Sequence, residues 1–209
     1  MTIEKGTPWG EPMAPPADAP VFTDCAALGA HLLANPTAYR EGSAKQPCEY
    51  VLRDASFRAL LGTDRHDTGN AIRIPIDVLE VSFVTGHGEE HAVAVDHVMV
   101  GNRLLWDELT VVSNTGFWRS RRIAPRAHPN DGRADVITVS ELMGIRQRLL
   151  AWHRTRWGTH LPHPAITIEQ HARYRWTGGP RLLTIDGVRR GSVTSVDVRV
   201  ITDALVVYV

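Results

Sequence analysis

The feature that most constrains the fold is a series of short segments, from residue 72 onward, in which apolar and other side chains alternate. Ile72, Ile74 and Ile76 occupy every second position, which is the side-chain period of a β-strand. Glycine, asparagine and aspartate separate the segments, as turns do between strands. The predicted strands cover residues 72–83, 91–100, 109–112, 136–139, 166–168, 174–176, 182–185, 193–200 and 205–208.

This strand-rich pattern contains few helices, so it does not fit a doubly wound parallel sheet, in which strands and helices alternate. No internal repeat divides the strands into copies of one unit. The sequence therefore predicts a mainly β fold, a β-sandwich or barrel with a few helices attached, and an α+β protein overall.

The first 71 residues differ from the rest. Residues 1–20 are rich in proline and predict an extended arm. Asp24 is a good N-cap for a following helix, which Pro36 ends. Residues 48–61 are ambiguous, because they show both strand-like alternation and helical spacing. The predicted domains are the arm (1–20), a helix-containing N-terminal addition (21–71) and a β-domain (72–209).

The composition is that of an ordinary globular protein, with 43% hydrophobic and 22% charged residues. The 23 Lys and Arg residues balance the 23 Asp and Glu residues, so no net field favours nucleic acid as a partner. The sequence shows neither the apolar core of a signal peptide nor the roughly 20 apolar residues that a membrane span needs. We expect a cytoplasmic protein with at most peripheral membrane contact, in which Cys25 and Cys48 are unpaired thiols.

A helix with two contrasting faces is predicted after Ser140, which can cap its N-terminus. The apolar stripe that we expect to face the core consists of Leu142, Ile145, Leu149 and Trp152. The opposite face carries Arg146, Arg148, Arg154 and Arg156. These arginines predict either a solvated face or contact with an anionic membrane. Nearby aromatic residues, which are either an interfacial surface or ordinary core and rim residues, are Phe117, Trp118, Trp152 and Trp157.

Three segments of the second half follow one another in a recognisable order: VVSNTGFW (residues 111–118), RIAP (122–125) and PNDGRADV (129–136). After the predicted helix come HLPHP (160–164) and LTIDG (183–187). In this order the segments resemble the C-terminal β-domain of bacterial diacylglycerol kinases and related lipid kinases of the NAD kinase-like superfamily. The resemblance covers residues 110–209 well, includes PIDV (75–78) within residues 72–102, and is absent before residue 70.

The resemblance also implies what such kinases need besides this domain. They bind ATP through an N-terminal α/β domain with a GGDGT loop, whose glycines let backbone N–H groups approach the phosphates. These 209 residues contain no GGDGT, GxGxxG or GxxxxGK[ST] motif. Residues 62–70 have glycines seven apart with polar side chains between them, which indicates a solvated turn. We therefore expect no ATP site in this chain, as in a pseudokinase.

Asp186 is the candidate catalytic residue. The resemblance gives it the role of a general base, which takes the proton of a lipid hydroxyl as that hydroxyl attacks the γ-phosphate. The alternative is structural, because Asp-Gly is a common two-residue β-hairpin turn. The ligand-binding residues that the resemblance implies are Asn114, Gly116, Arg122 and Gly187.

The resemblance further implies a structural Mg²⁺ held by Asp131 and Asp135, because carboxylates on a bent backbone suit a hard cation. Asn130 stands where many relatives carry an acid, which lowers the local negative charge. Asn-Asp-Gly is also an ordinary turn sequence, so a turn without a metal is the alternative.

Other chemistries have little support in the sequence. His87 and His91 lie across a glycine-rich turn, and His97 lies on an alternating strand as a satisfied, half-buried residue. No HExxH motif and no GxSxG elbow is present. We therefore predict neither a zinc site nor a serine or cysteine nucleophile.

Three functions remain open. The first is a β-domain protein that binds a lipid, an acyl-bearing small molecule or a protein partner, and transfers no phosphoryl group on its own. The second is one subunit of a split lipid kinase, in which a separately encoded GGDGT domain supplies ATP. The third is a homodimer scaffold that pairs exposed sheet edges.

Overall fold

A computed structural model describes residues 10–39, 47–62, 71–101 and 107–209. The helices of this part are α1 (Cys25–Ala34), α2 (Ala55–Leu61) and α3 (Ile145–Arg154), with a short 3₁₀ helix at Pro36–Ala38. The strands are β1 (Glu11–Pro12), β2 (Val21–Phe22), β3 (Cys48–Leu52), β4 (Ile72–Thr85), β5 (Gly88–Ala94), β6 (His97–Val100), β7 (Leu109–Ser113), β8 (Phe117–Trp118), β9 (Arg121–Arg122), β10 (Ala134–Val139), β11 (Ile166–His171), β12 (Arg173–Ile185) and β13 (Val188–Tyr208). The predicted mainly β, α+β fold is confirmed.

Eleven of the described strands form one sheet, in the order β1-β4-β13-β12-β6-β7-β10-β11, with β5 on β4 and β2-β3 on β13. Neighbouring strands are antiparallel except where β3 meets β13 and β2 meets β3. The 21-residue β13 lies at the centre, since β12, β4 and β3 all pair with it. It bends between Ile201 and Leu205, where Asp203 adopts a positive φ of 48°.

The sheet folds over on itself around an apolar core. Val81 and Phe83 of β4 share one buried cluster with Val112 of β7 and Val136 of β10, although three strands separate β4 from β7 in the sheet and four separate it from β10. Only a sheet that curls back can bring these side chains together. The opposite side chains of β6, β7 and β10, such as Met99, enter a second cluster beneath α3. These central strands are therefore buried on both faces.

The N-terminal elements complete the same molecule. The carboxylate of Asp24 caps α1 by accepting a hydrogen bond from the N–H of Ala27, and the helix ends before Pro36, as predicted. Leu28 and Leu32 of α1 pack in a third cluster with Leu205 and Val207 of β13. The ambiguous residues 48–61 contain both a strand, β3, and a helix, α2. Burial and strand pairing against β13 thus tie α1, α2 and β3 to the long strands.

Three element predictions are wrong in detail. Residues 91–100 are not one strand, because the chain bends at Val95–Asp96 between β5, which pairs with β4, and β6, which pairs with β12 and β7. The segments 174–176 and 182–185 belong to one strand, β12, with an irregularity between Thr177 and Arg181. The segments 193–200 and 205–208 likewise both lie in β13.

The predicted helix after Ser140 starts later and faces differently. Ser140 caps a turn through Leu142, and α3 itself begins at Ile145. Leu142 is 88% exposed and Leu149 is 55% exposed, so the predicted apolar stripe does not face the core. Arg148 and Ala151 are buried instead.

No helix within the described ranges is both long and apolar enough to cross a membrane. Most of the glycine-bearing stretch 62–70 lies outside the described residues, because only Gly62 is described. Gly62 is the C-cap of α2, with a positive φ of 67° that glycine adopts without strain.

Candidate functional site

The turn between β12 and β13 lies at the candidate site. Asp186 and Gly187 occupy its two central positions with φ of 46° and 84°, and Ile185 pairs with Val188. Two successive positive φ angles define the type I′ turn, which suits the twist of the flanking strands. The Asp-Gly pair therefore forms the two-residue turn that its sequence indicates.

The carboxylate of Asp186 does more than its turn requires. It accepts hydrogen bonds from the backbone N–H groups of Val95 (2.8 Å), Asp96 (3.0 Å) and His97 (2.8 Å). The N–H of Asp186 in turn donates to the carbonyl of His97. Asp186 thus fixes the bend between β5 and β6. Burial raises the pKa of Asp186 to about 6, against the lowering effect of His97 and of these N–H groups.

The bend held by Asp186 carries a buried Asp–His pair. Asp96 accepts a hydrogen bond from Nδ1 of His97 at 3.0 Å and another from the hydroxyl of Thr115. Burial by itself would lower the pKa of His97, but Asp96 and, more weakly, Asp186 outweigh it and raise that pKa. Nε2 of His97 is buried and has no hydrogen-bond partner among the described residues. An imidazole oriented in this way can exchange a proton or a hydrogen bond with a ligand.

A polar pocket of about 360 Å³ surrounds these groups. Asp54, Asp96, His97 and Asp186 line it together with the buried Cys25, and the exposed Arg119 and Arg189 also line it. Asp54 caps α2 through the N–H of Ser56. Burial, and then Asp186, raises the pKa of the Cys25 thiol well above its ordinary value, which disfavours the reactive thiolate form.

An apolar cavity of about 570 Å³ lies beneath α3. Its walls include Val111 and Ile137 of the sheet and Ala151 of the helix. Trp118 and Arg119 line both this cavity and the polar pocket, so the two spaces share a wall. The Trp118 ring lies 6.3 Å from the His97 ring and 4.8 Å from the Trp152 ring, between centroids.

The remaining predicted ligand-binding residues lie apart from the polar pocket. Asn114 is fully buried, and its amide donates to the carbonyls of Asp77 and Val95. Gly116 has a φ of 70°, and a Cβ there would lie 2.3 Å from the carbonyl oxygen of Ala124. Arg122 lies over the Phe117 ring at 5.4 Å. Of the predicted set, Asp186 and Gly187 line the pocket, while Asn114 and Gly116 build the turn that supports it.

The two acids predicted to hold Mg²⁺ lie in different surroundings. Asp131 is exposed and accepts a hydrogen bond from the N–H of Arg133. Asp135 is buried on β10, and burial raises its pKa to about 6. Within the described ranges, no group of three His, Cys, Asp or Glu residues is placed to bind a cation. The Mg²⁺ site thus stays a prediction that these residues fit poorly.

Asp77, which the sequence interpretation passed over, organises this region instead. Its carboxylate accepts hydrogen bonds from the N–H groups of Gly132 and Asp203, both at 2.8 Å. It therefore joins the Asn-Asp-Gly turn to the bend of β13. Its pKa is raised, chiefly by burial.

The residues that sequence reasoning missed at the pocket are Asp54, Asp96 and Arg119. It treated His97 as a satisfied strand residue and named Trp118 only as an interfacial or core aromatic residue. A signal for two of them was present. Asp96-His97 interrupts an otherwise apolar run of valines and alanines, and adjacent ionisable residues in such a run need partners inside the fold.

Comparisons with known proteins give the following result. No protein-family model matches the chain, and a search of curated proteins gives no match. Among solved structures, a diacylglycerol kinase from Bacillus anthracis str. Sterne matches with 12% identity and a TM-score of 0.47, over 76% of this chain and 66% of that chain. Two further proteins of that organism, proposed to be diacylglycerol kinases, match with 11% and 12% identity and TM-scores of 0.39 and 0.38. They cover 62% and 64% of this chain, which spans 39% and 40% of their length.

Proposed function

We propose that the chain binds an amphiphilic ligand of lipid type, with its polar end in the pocket at His97 and its apolar tail in the cavity beneath α3. The observation that carries the proposal is the common wall of Trp118 and Arg119 between the two spaces. A molecule with one polar and one apolar end matches such a pair of spaces, because each end then meets its own kind of surface.

The polar end is assigned to His97 because the carboxylates beside it are already engaged. Asp186 accepts three backbone hydrogen bonds, and Asp96 accepts from Thr115 and His97. Nε2 of His97 is the group without a described partner. Because Nδ1 faces Asp96, a neutral His97 presents the Nε2 lone pair to a ligand hydroxyl. Arg119 and Arg189 add positive charge for an anionic headgroup.

The tail is assigned to the second cavity because of its lining. Leu109, Val111, Ile123 and Ile137 supply aliphatic surface, and Trp118 supplies an aromatic face. Each methylene group that leaves water for such a surface contributes about 0.8 kcal/mol. A volume of about 570 Å³ lies in the range of small-molecule sites.

The experiment is a binding titration with dioctanoylglycerol and octanoic acid, followed by calorimetry. Ala151→Leu fills the tail cavity, so we expect affinity for both probes to fall at least about tenfold without loss of fold stability. His97→Gln is expected to weaken dioctanoylglycerol binding about two- to tenfold, the range of a single hydrogen bond. Leu33→Ala, on an exposed part of α1, is the control. No binding by the wild type, or equal binding by Ala151→Leu, would overturn the proposal.

In this proposal the chain alone transfers no phosphoryl group. Its 209 residues contain no GGDGT loop, and the carboxylate of Asp186 is occupied in holding backbone N–H groups. ATP consumption by the purified chain with dioctanoylglycerol would contradict it. The split kinase, with Asp186 as base, has the support of the sequence resemblance and of the position of Asp186 in the pocket. It requires a partner that contains a GGDGT loop, and loss of the activity of that complex in Asp186→Asn.

A further inference from the structure

Helix α3 presents its apolar side chains outward. Leu149 and Leu150 are more than half exposed, as are Leu142 before the helix and Trp157 after it, while Ile145 is 40% exposed. An isolated exposed leucine is common, but five large apolar side chains in one short segment form a patch that soluble proteins rarely leave without a use.

The outward orientation is built into the contacts of the buried side of α3. The guanidinium of Arg148 donates from Nε to the carbonyl of Met143 and from Nη2 to the carbonyls of Asp107 and Ser140. Arg121 donates to the carbonyl of Trp152 and lies 4.3 Å from the centre of its ring. These contacts fix the rotation of the helix about its axis, because turning the leucines inward would break the hydrogen bonds of the buried Arg148.

Positive charge surrounds the exposed apolar residues. Arg146, Arg154 and Arg156 are exposed on the same segment, where Glu141 is the single acid. In the part of the chain that the structure describes, no acidic side chain pairs with these three arginines. Their charge is therefore available to an anionic partner.

The tail cavity reaches the same face of the molecule. Ile145 and Leu149 are exposed and also line the apolar cavity beneath α3. A surface pressed against a bilayer at this place would put these two cavity-lining residues next to acyl chains. The position of these residues therefore favours a membrane over a water-soluble protein as the partner.

We propose that this α3 surface docks on an anionic membrane. It consists of Leu142, Ile145, Leu149, Leu150 and Trp157, with Arg146, Arg154 and Arg156. The apolar side chains enter the boundary between headgroups and acyl chains, with Trp157 at headgroup level, and the arginines contact lipid phosphates. Anionic lipid attracts each of these arginines and thereby strengthens apolar insertion.

The test is co-sedimentation of the full chain with phosphatidylcholine vesicles that contain either no or a large fraction of phosphatidylglycerol. We expect binding to the anionic vesicles and little to the neutral ones. Leu142→Asn/Leu150→Asn changes two patch residues that do not line the tail cavity. It should lower vesicle binding at least about tenfold while leaving dioctanoylglycerol binding in solution unchanged. Arg154→Gln/Arg156→Gln should lower binding to anionic vesicles about fivefold per arginine.

Leu33→Asn is the matched control, since it exposes an amide in place of a leucine that is 42% exposed on another helix. Equal binding to both kinds of vesicle, or no effect of the Leu142/Leu150 change, would overturn the proposal. Mass measured by light scattering gives a further check. A wild-type dimer that the Leu142/Leu150 variant splits into monomers would assign the surface to self-association instead, through α3 and not through the sheet edges of the homodimer prediction.

Discussion

At the scale of single residues, Asp135 combines deep burial with an oxygen, Oδ2, that has no hydrogen-bond partner among the described residues. Burial raises its pKa from 3.8 to about 6, with a smaller contribution from Asp131, against the lowering effect of Gln170. The stability that its protonated form contributes is thus fully present below about pH 3.8 and is lost as the pH rises through about 6.

We therefore expect Asp135→Asn to raise the free energy of unfolding at pH 7 by up to about 3 kcal/mol. The gain should shrink as the pH falls toward 4, where the wild-type carboxyl is protonated as well. Urea unfolding of both proteins across this pH range measures it. The exposed Asp18→Asn, which does not act on Asp135, is the control.

The variant Asp135→Asn also tests the predicted Mg²⁺ site. If Asp131 and Asp135 held the ion, millimolar Mg²⁺ would stabilise the wild type against EDTA, and Asp135→Asn would abolish that gain. Equal melting temperatures of the wild type in Mg²⁺ and in EDTA would show that this turn does not bind the ion.

Asp186 is expected to act on the backbone around His97. Replacing it with alanine removes the acceptor of three N–H groups, which should cost about 1–3 kcal/mol of stability. Hydrogen exchange provides the readout: the amides of Val95, Asp96 and His97 should lose protection while those in the middle of β13 keep theirs. Unchanged exchange at residues 95–97 would show that these hydrogen bonds contribute nothing.

At the scale of elements, the contact between α1 and β5 depends on Gly29. A Cβ at this position would lie 2.4 Å from the carbonyl oxygen of Val93, a backbone atom that yields less easily than the end of a flexible side chain. Gly29→Ala should thus destabilise the protein by about 1–3 kcal/mol, although alanine favours a helix more than glycine does. Gly86→Ala is the control, because a Cβ there meets nothing within 4 Å. A thermal melt of the two variants compares them.

The sequence predicts where helices and strands lie better than it predicts which side of a helix is buried or where a strand is interrupted. Period-two alternation located β4, β7 and β10, and the cap at Asp24 located α1, because these signals are local. The break between β5 and β6 is invisible to local reasoning, because the N–H groups there are satisfied by Asp186, about 90 residues away. The orientation of α3 depends on carbonyl groups near Arg148 that only the folded chain brings together.

The candidate site, too, was predicted only where it depends on local sequence signals. Asp186 and Gly187 follow from a turn sequence and a resemblance. Trp118 and Arg119 enter the site only because β8 packs beside α2, where the N–H of Arg119 donates to Ser56. No pattern along the chain records that contact.

At the scale of the whole molecule, β13 belongs to two cores. Val196 lies in the cluster enclosed by the curled sheet, and Leu205 lies in the cluster with α1 and α2. Truncating a buried side chain in either core should therefore destabilise the other core as well, since one strand connects them.

We expect Leu205→Ala and Val196→Ala each to lower the midpoint of a single unfolding transition. The free energy of unfolding should fall by about 2–5 kcal/mol for the leucine and somewhat less for the valine. Far-ultraviolet circular dichroism and tryptophan fluorescence should report coincident curves. The exposed Val188→Ala is the control. Two separate transitions, with Leu205→Ala moving one of them, would support the predicted division at residue 71.

The pairing of β13 also sets a kinetic expectation. Leu205 pairs with Cys48, and Tyr208 pairs with Arg73, so contacts at the centre of the sheet close loops of well over 100 residues. The entropy of closing such loops is lost before the contacts form, which makes folding slow. Until β13 arrives, the edges of β3 and β4 stay open and the leucines of α1 lack their partners. A chain in which β13 is not yet paired is therefore expected to aggregate more readily than the folded protein.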